Sequence, residues 1–451
     1  MLAKAPVATV AMISLRDATV VFEGARHPAL DRVSLRIRPA SWTAIVGPNG
    51  SGKSTLLAAL AGLVPLRAGA LVREGEPRVA LLQQDADNQL VATSVRHELS
   101  LSVPIDVAAD ARAARIAEAI SRFDLGHLLD RNPHRLSGGE KQRLACATVR
   151  LEHPDVLLLD EPLAFLDTDA RARVIAFVQE THQRGAAVVW ATPGEDAPLA
   201  RNVVHLERGR VVERAVEAPA ALVERAPRRA RTPADVVLSI ERVSFGYGDG
   251  LVLESIDLAV ARGECVGIVG KNGAGKSTLL TLAGGALKPA SGSVARSLGG
   301  GSVMYLPQTP ERMFFAETVH EEIAFGVKRM RASRHVDDAR IDEIVRESVR
   351  AVGLDPADAV ERSPFQLSFG EMRRVAFAIA HAMTPALLLL DEPASCLDRA
   401  GHDVLAALVG SRLDAGAAVL VASHDPAQFA GLCDRVLELD GGRLVPGLGF
   451  S

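Results

Sequence analysis

Two stretches of this chain carry the residue types needed to hold a triphosphate. Gly47-Pro48-Asn49-Gly50-Ser51-Gly52-Lys53-Ser54-Thr55 returns as Gly270-Lys271-Asn272-Gly273-Ala274-Gly275-Lys276-Ser277-Thr278. A Gly-rich loop between strand and helix turns backbone N–H groups toward an anion at the positive helix end. Glycines are required because side chains would clash with the phosphates. Lys53 and Lys276 are placed to reach the β- and γ-phosphates, and Ser54 and Ser277 to hold Mg2+. Farther along, two apolar runs end in paired acids. Asp160 and Asp391 suit a Mg2+ bound through water, and Glu161 and Glu392 suit orienting or deprotonating the attacking water. A strand-end acid alone could equally cap a helix, but its coupling to an upstream loop favours the catalytic reading. Gln84 and Gln308 follow apolar strands at matching distances and join the nucleotide and metal ligands. The chemistry expected is Mg2+-dependent ATP hydrolysis, at two places.

The spacing of these groups reveals a duplicated domain. Lys53 and Lys276 differ by 223 positions, Gln84/Gln308 and Glu98/Glu322 by 224, and Ser137/Ser368, Glu161/Glu392 and Asp167/Asp398 by 231. The second copy therefore holds seven extra residues between Glu322 and Ser368. A solenoid would repeat every ~20–50 residues, so a whole domain is duplicated instead. Within each copy the pattern is α/β. Trp42–Val46 and Cys265–Val269 predict strands feeding the glycine loops, and Leu56 and Leu279 onward predict helices. Val156–Leu159 and Leu387–Leu390 predict buried parallel strands. Segments 106–125 and 336–353 predict amphipathic helices. The expected division is a leader at 1–13 (with Met12 an alternative start), domains at 14–214 and 236–451, and an Ala/Pro/Arg-rich linker at 215–235. That linker reads as solvated chain, its arginines offering a basic stripe for lipid or RNA as the other reading.

Composition bounds the rest. Aromatics make up only 4% against 48% apolar residues, which suits Ala/Leu/Val packing of α/β layers. No apolar run approaches the ~18–20 residues that span a bilayer. A net charge of −4 gives no general attraction to nucleic acid. Cys146, Cys265, Cys396 and Cys433 lie far apart in sequence without a CxxC pair. That argues against a disulfide framework or a zinc or iron–sulfur site, and suits a reducing cytosol.

Leu136-Ser137-Gly138-Gly139-Glu140, followed by Lys-Gln-Arg143, resembles the signature motif of the ABC ATPases. Leu158-Leu-Asp-Glu-Pro162 with Leu166-Asp167, and Leu389-Leu-Asp-Glu-Pro393 with Leu397-Asp398, resemble that family's acidic strand and the loop after it. Ser423-His424-Asp425 resembles its switch histidine. The resemblance covers about 14–445 and implies an α/β fold of two tandem P-loop domains. Each would have a RecA-like α/β core, an antiparallel β subdomain and a helical signature subdomain. It further implies that the halves pair head to tail within one chain, each ATP lying between the P-loop of one half and the signature of the other. Ser137, Gly138, Gly139, Glu140 and Asp167, with Ser368, Gly370, Glu371 and Asp398, would then contact nucleotide. Tyr247 looks like the adenine-stacking aromatic of the second half, with Phe22 as its counterpart.

The two copies differ where chemistry is concerned. Position 193, which matches His424, is proline and has no imidazole; His205 falls in a later strand and reads as structural. The second signature has Phe369 where the first has Gly138, so a phenyl group is expected to crowd a phosphate there. Crossing the halves puts both departures in one site, the one containing Gly47–Ser54, and leaves the other intact. One site is expected to hydrolyse ATP and the other mainly to bind it. The segments after Gln84 and Gln308 look like those of energy-coupling-factor importers, the cobalt and vitamin uptake group. That resemblance implies a peripheral protein on the cytoplasmic face of the cell membrane. It would energise import of a small solute with an integral-membrane T-type coupling component and a substrate-capture component. Exposed Phe314 and Phe315 would meet the membrane partner, and no nucleic acid is expected. A tandem sugar-importer ATPase and a translation-associated soluble ATPase are the rival readings.

Overall fold

The computed structural model describes residues 12–23, 27–83, 87, 89–136, 138–163, 166, 168–193, 200, 202–212, 236–248, 250–299, 302–330, 337–395, 397–424 and 431–446. Residues 1–11 of the expected leader, the whole expected linker, and Gln84, Ser137 and Asp167 lie outside them. The chain divides into two compact units, Met1–Pro219 and Ala220–Ser451.

The first unit runs β1 (Met12–Val20), β2 (Leu30–Ile37), β3 (Trp42–Val46), α1 (Lys53–Ala61), β4 (Ala68–Glu74), β5 (Val79–Leu82) and α2 (Val95–Leu101). It continues with α3 (Ala109–Arg122), α4 (Gly138–Leu151), β6 (Val156–Asp160), α5 (Thr168–Gln183), β7 (Ala187–Thr192), β8 (Asn202–Glu207) and β9 (Arg210–Val212). The second repeats this order. It opens with β10 (Val236–Tyr247), β11 (Gly250–Ala261), β12 (Cys265–Val269), α6 (Lys276–Gly284), β13 (Ser291–Arg296), β14 (Val303–Leu306), α7 (Val319–Met330) and α8 (Asp338–Ala351). Then follow α9 (Pro356–Ala359), α10 (Phe369–Met383), β15 (Leu387–Asp391), α11 (Arg399–Asp414), β16 (Ala418–Ser423), β17 (Arg435–Asp440) and β18 (Arg443–Pro446). Five of the seven extra residues lengthen α7, which has 12 residues against seven in α2, and the other two fall between α8 and α10.

Each unit has a six-stranded sheet, β5-β6-β7-β3-β8-β9 or β14-β15-β16-β12-β17-β18, and a three-stranded antiparallel sheet, β2-β1-β4 or β11-β10-β13. The larger sheets are parallel except for the final hairpin. Their central strands are apolar at almost every position because both faces are covered. Alternate side chains serve different cores: Leu388 and Leu390 pack with the helical subdomain, while Leu387 and Leu389 pack with α6 and the antiparallel sheet. The first unit splits Leu157/Leu159 from Val156/Leu158 in the same way. Each unit is thus an α/β core flanked by an antiparallel β layer on one side and a helical layer on the other.

One contact is new here and one expectation changes. Cys265 and Cys433, far apart in sequence, are neighbours in space with sulfurs 3.6 Å apart. Pairing of β12 with β17 brings them together, and both remain free thiols. Contact with Cys433, then burial, raises the Cys265 thiol well above its usual range. Phe314 is not a surface residue: it is 7% exposed and belongs to the helical-layer core, while its neighbour Phe315 is 63% exposed. Adjacent residues in an extended segment point opposite ways, so one ring faces in and the other out.

Candidate active sites

The two glycine loops have the same geometry. Gly52 and Gly275, the N-caps of α1 and α6, sit at φ 101° and 102°, a backbone region that side-chain-bearing residues rarely adopt. A Cβ on Gly47 would lie 2.1 Å from the Leu206 carbonyl oxygen, and one on Gly270 would lie 2.5 Å from that of Leu439, so the loop lies against the neighbouring strand. Neither helix has a side-chain cap or an acid in its first turn. Their N–H groups therefore present an uncompensated positive end to an anion.

Each loop already encloses its cation. Lys53 Nζ donates to the carbonyls of Gly47 (2.8 Å) and Pro48 (3.1 Å) and lies 3.9 Å from Glu161. Lys276 Nζ donates to Gly270 (2.7 Å) and Lys271 (3.1 Å) and lies 3.6 Å from Glu392. Both lysines are almost fully buried, and so are Asp160 and Asp391 at the ends of β6 and β15. Burial raises the Asp160 carboxyl, opposed by a hydrogen bond with Ser54 and the Lys53 charge. Burial likewise raises Asp391, opposed by hydrogen bonds with Ser277 and Tyr305. Serine hydroxyl beside carboxylate is the hard-oxygen donor set that Mg2+ takes when nucleotide phosphates complete its shell. The buried Asp160 Oδ1 has no hydrogen-bond partner, so an oxygen is left for such an ion. The residues fit the metal. Ser54 with Asp160, and Ser277 with Asp391, would hold it, and it would neutralise phosphate charge.

The glutamates stand on strained backbone. Glu161 and Glu392 adopt φ 45° and 46°, and their N–H groups bond to Ala191 O (3.0 Å) and Ala422 O (2.9 Å). Such left-handed conformations cost energy and cluster where a side chain must be aimed. Beyond this point the units diverge. Glu392 Oε2 is 2.8 Å from His424 Nδ1 and accepts from Ser423 Oγ at 3.3 Å. His424 Nε2 is buried without a hydrogen-bond partner. A carboxylate held between an ammonium and an imidazole can take a proton from water while the ring contacts an anion. In the first unit Pro193 follows β7 where His424 follows β16, leaving the proline ring without a donor.

The remaining predicted residues fall in several places. Phe22 and Tyr247 are exposed aromatics, 49% and 62%, beyond β1 and at the end of β10. Tyr247 pairs with Gly250, on the hairpin whose Val252 abuts Gly275. Ser368 and Glu371 form a capping box at the start of α10, each side chain accepting the other's backbone N–H. Phe369 packs back on its own helical core with the Arg373 guanidinium 5.3 Å over its ring. A Cβ on Gly138 or Gly139 would meet nothing within 4 Å in its own unit. Asp398 caps α11 through Gly401 N (2.8 Å) and accepts from Arg374 (2.9 Å), so within its unit it has a structural role. Gln308 follows β14, and its carbonyl accepts from Arg373 at 2.5 Å.

Two participants escaped sequence reasoning, Tyr305 and Arg373, while Ser423 was read only as part of the histidine motif. Tyr305 Oη donates to Asp391 Oδ2 at 2.9 Å, and the buried Arg373 bridges the carbonyls of Gln308 and Glu392. A polar ring three residues before Gln308, and an arginine on the apolar face of α10, were the available signals.

A family model described as ABC transporter matches residues 30–164 and 253–395. A candidate ABC transporter ATP-binding protein of Methanosarcina mazei is 28% identical over 479 residues, spanning 96% of this chain and 94% of the relative. One from Streptomyces avermitilis is 30% identical over 535 residues, spanning 96% and 93%. Among solved structures, a model of ribosome-bound archaeal Pelota and ABCE1 superposes with a TM-score of 0.73 at 23% identity, covering 96% of this chain and 78% of that one. RNase-L inhibitor gives 0.65 at 22% identity, covering 96% and 91%. At such identities the likeness is one of fold.

Proposed function

Because this chain belongs to the ABC transporter family and carries its ATP-binding domain twice, we propose that it is the ATPase subunit of an energy-coupling-factor-type importer of a small solute. Domains of this family use ATP with Mg2+. In this reading the lobes pair head to tail, and the site containing Lys276, Asp391, Glu392 and His424 hydrolyses ATP. The site containing Lys53, Asp160 and Glu161 mainly holds it. The carrying observation is the buried Lys276–Glu392–His424 arrangement set against Lys53–Glu161 beside Pro193. Glu392→Gln is expected to abolish steady-state phosphate release and Glu161→Gln to leave most of it. Equal losses would overturn the asymmetry.

The importer reading is supported by a surface present in both copies. Phe315 and Phe325 are exposed and meet edge to face at 4.8 Å. The matching Val91 and Leu101 are also exposed, 75% and 58%. Single exposed apolar residues are ordinary, but a pair recurring at one register in both domains suits a docking face. The buried Glu322 carboxylate fixes that segment by accepting from Phe315 N (3.0 Å) and Ala316 N (2.9 Å). Glu98 does the same for Val91 and Ala92. Among the described residues no helix is long and apolar enough to cross a membrane, so a separate component would supply the path. Affinity purification from detergent-solubilised membranes is expected to recover an integral-membrane partner. Recovery of ribosomes instead would favour the translation-associated reading.

A further inference from the structure

The two metal-side carboxylates are supported differently. Tyr305 sits on β14, paired in register with Leu389 of β15, and Asp391 is two residues farther along the same strand face. From there its phenol donates to Asp391 Oδ2 at 2.9 Å. The Thr281 hydroxyl neighbours the same phenol. Thr281 lies one helical turn after Ser277 on α6 and donates to the Ser277 carbonyl at 2.6 Å. Ser277 in turn hydrogen-bonds Asp391, so four residues of helix and strand are connected, the Thr281 link running to the Ser277 main-chain carbonyl.

The first unit lacks two of these four members. Leu81 pairs with Leu158 as Tyr305 pairs with Leu389, and Ala58 holds the place of Thr281 in the helix. Asp160 keeps its contact with Ser54, but its Oδ1 is buried without a partner. Leucine and alanine fill these positions adequately as packing, so the hydroxyls of the second unit are not needed for its core. Both hydroxyls occur on the side that also has His424.

We propose that Tyr305 is a positioning residue of the second site, its phenol, braced by Thr281, fixing the Asp391 carboxylate for the metal ion that accompanies ATP. This rests on the reading of Asp391 as the metal-side carboxylate of the hydrolysing site. A donor held at Oδ2 removes one rotational freedom of the carboxylate and leaves the other oxygen to the metal's shell. Outer partners of this kind orient first-sphere ligands and tune affinity.

The test uses the full chain carrying Lys53→Ala, which silences the first loop, and Glu392→Gln, which stops hydrolysis. Mn2+ is titrated into the ATP-loaded protein and its affinity read from the EPR signal of the bound ion, alongside ATP binding in EDTA. Tyr305→Phe is expected to weaken Mn2+ binding on the order of tenfold while leaving metal-free ATP binding unchanged. Thr281→Val is expected to weaken it about threefold, with Thr281→Ser restoring it. Unchanged Mn2+ affinity in Tyr305→Phe would overturn the proposal. So would an equal loss of metal-free ATP binding, which marks a merely structural role. If Tyr305→Phe melts far below its parent, the Thr281 pair decides by the same criterion. Asp391→Asn separates the two levels: Mn2+ binding that survives it defeats the reading of the site itself, whatever Tyr305 does.

Discussion

The glycine that starts each P-loop helix shows how one residue type has different stakes in the two lobes. A Cβ at Gly52 would stand 2.4 Å from the Ala29 carbonyl oxygen, whereas at Gly275 the nearest atom is a Val252 side-chain carbon at 2.9 Å. Backbone cannot yield as a side chain can, although both positions share the left-handed φ penalty. Gly52→Ala is therefore expected to cost about 2–4 kcal/mol and Gly275→Ala about 1–2. Denaturant unfolding isolates the first effect, since the protein's only two tryptophans, Trp42 and Trp190, report on the first lobe. A loss at Gly52 below about 1 kcal/mol would contradict the steric argument. The matching geometry of the two glycine loops and their strand-end acids was legible in the sequence, because such a constellation admits few residue types at fixed spacing. Tyr305 and Arg373 were not, because their roles depend on which strand or loop lies beside them. Spacing along one element does not show that.

At the level of elements, α4 ends near a carboxyl in an unusual state. Burial pushes Glu152 up to about 7 from an ordinary 4.5. The folded lobe thus holds this proton more tightly than the unfolded chain does between pH 4.5 and 7. Stability contributed by the site is lost as pH rises through that window, and the full penalty stands above it. Glu152→Gln is expected to stabilise the first lobe by on the order of 1–3 kcal/mol at pH 8 and by nothing near pH 4. Urea unfolding followed by tryptophan fluorescence at both pH values checks this. The strands Trp42–Val46, Val156–Asp160, Cys265–Val269 and Leu387–Asp391 followed from apolar runs, and the helices Ala109–Arg122 and Asp338–Ala351 from amphipathic periodicity. Phe314 and Phe315 did not separate that way, because two adjacent phenylalanines look alike until the chain direction between them is known. The Cys265–Cys433 contact was hidden similarly, since it follows from β12 and β17 being sheet neighbours.

For the whole molecule, duplication means that each lobe serves as an internal control for the other. The recurring exposed pairs Phe315/Phe325 and Val91/Leu101 predict that Phe315→Ser with Phe325→Ser will lower recovery of the membrane partner severalfold. Basal ATPase activity is expected to stay close to the parent value, because the two exposed rings meet each other edge to face. Parallel measurement of co-purification and phosphate release distinguishes this from a general loss of folding. Unchanged recovery would remove the docking face from the importer reading.

Glu161 still stands in the same left-handed turn as Glu392, with its N–H tied to the same neighbouring strand. The conformationally demanding part of the arrangement is therefore present in the lobe that carries Pro193. What is missing is one ring at position 193 and, behind it, the hydroxyls at 58 and 81. Under the proposed asymmetry such a scaffold is open to repair by grafting, and Pro193→His is the first graft to try. Gain of phosphate release in a chain disabled at Glu392 would show that the proposed binding lobe lacks reagents rather than a mould.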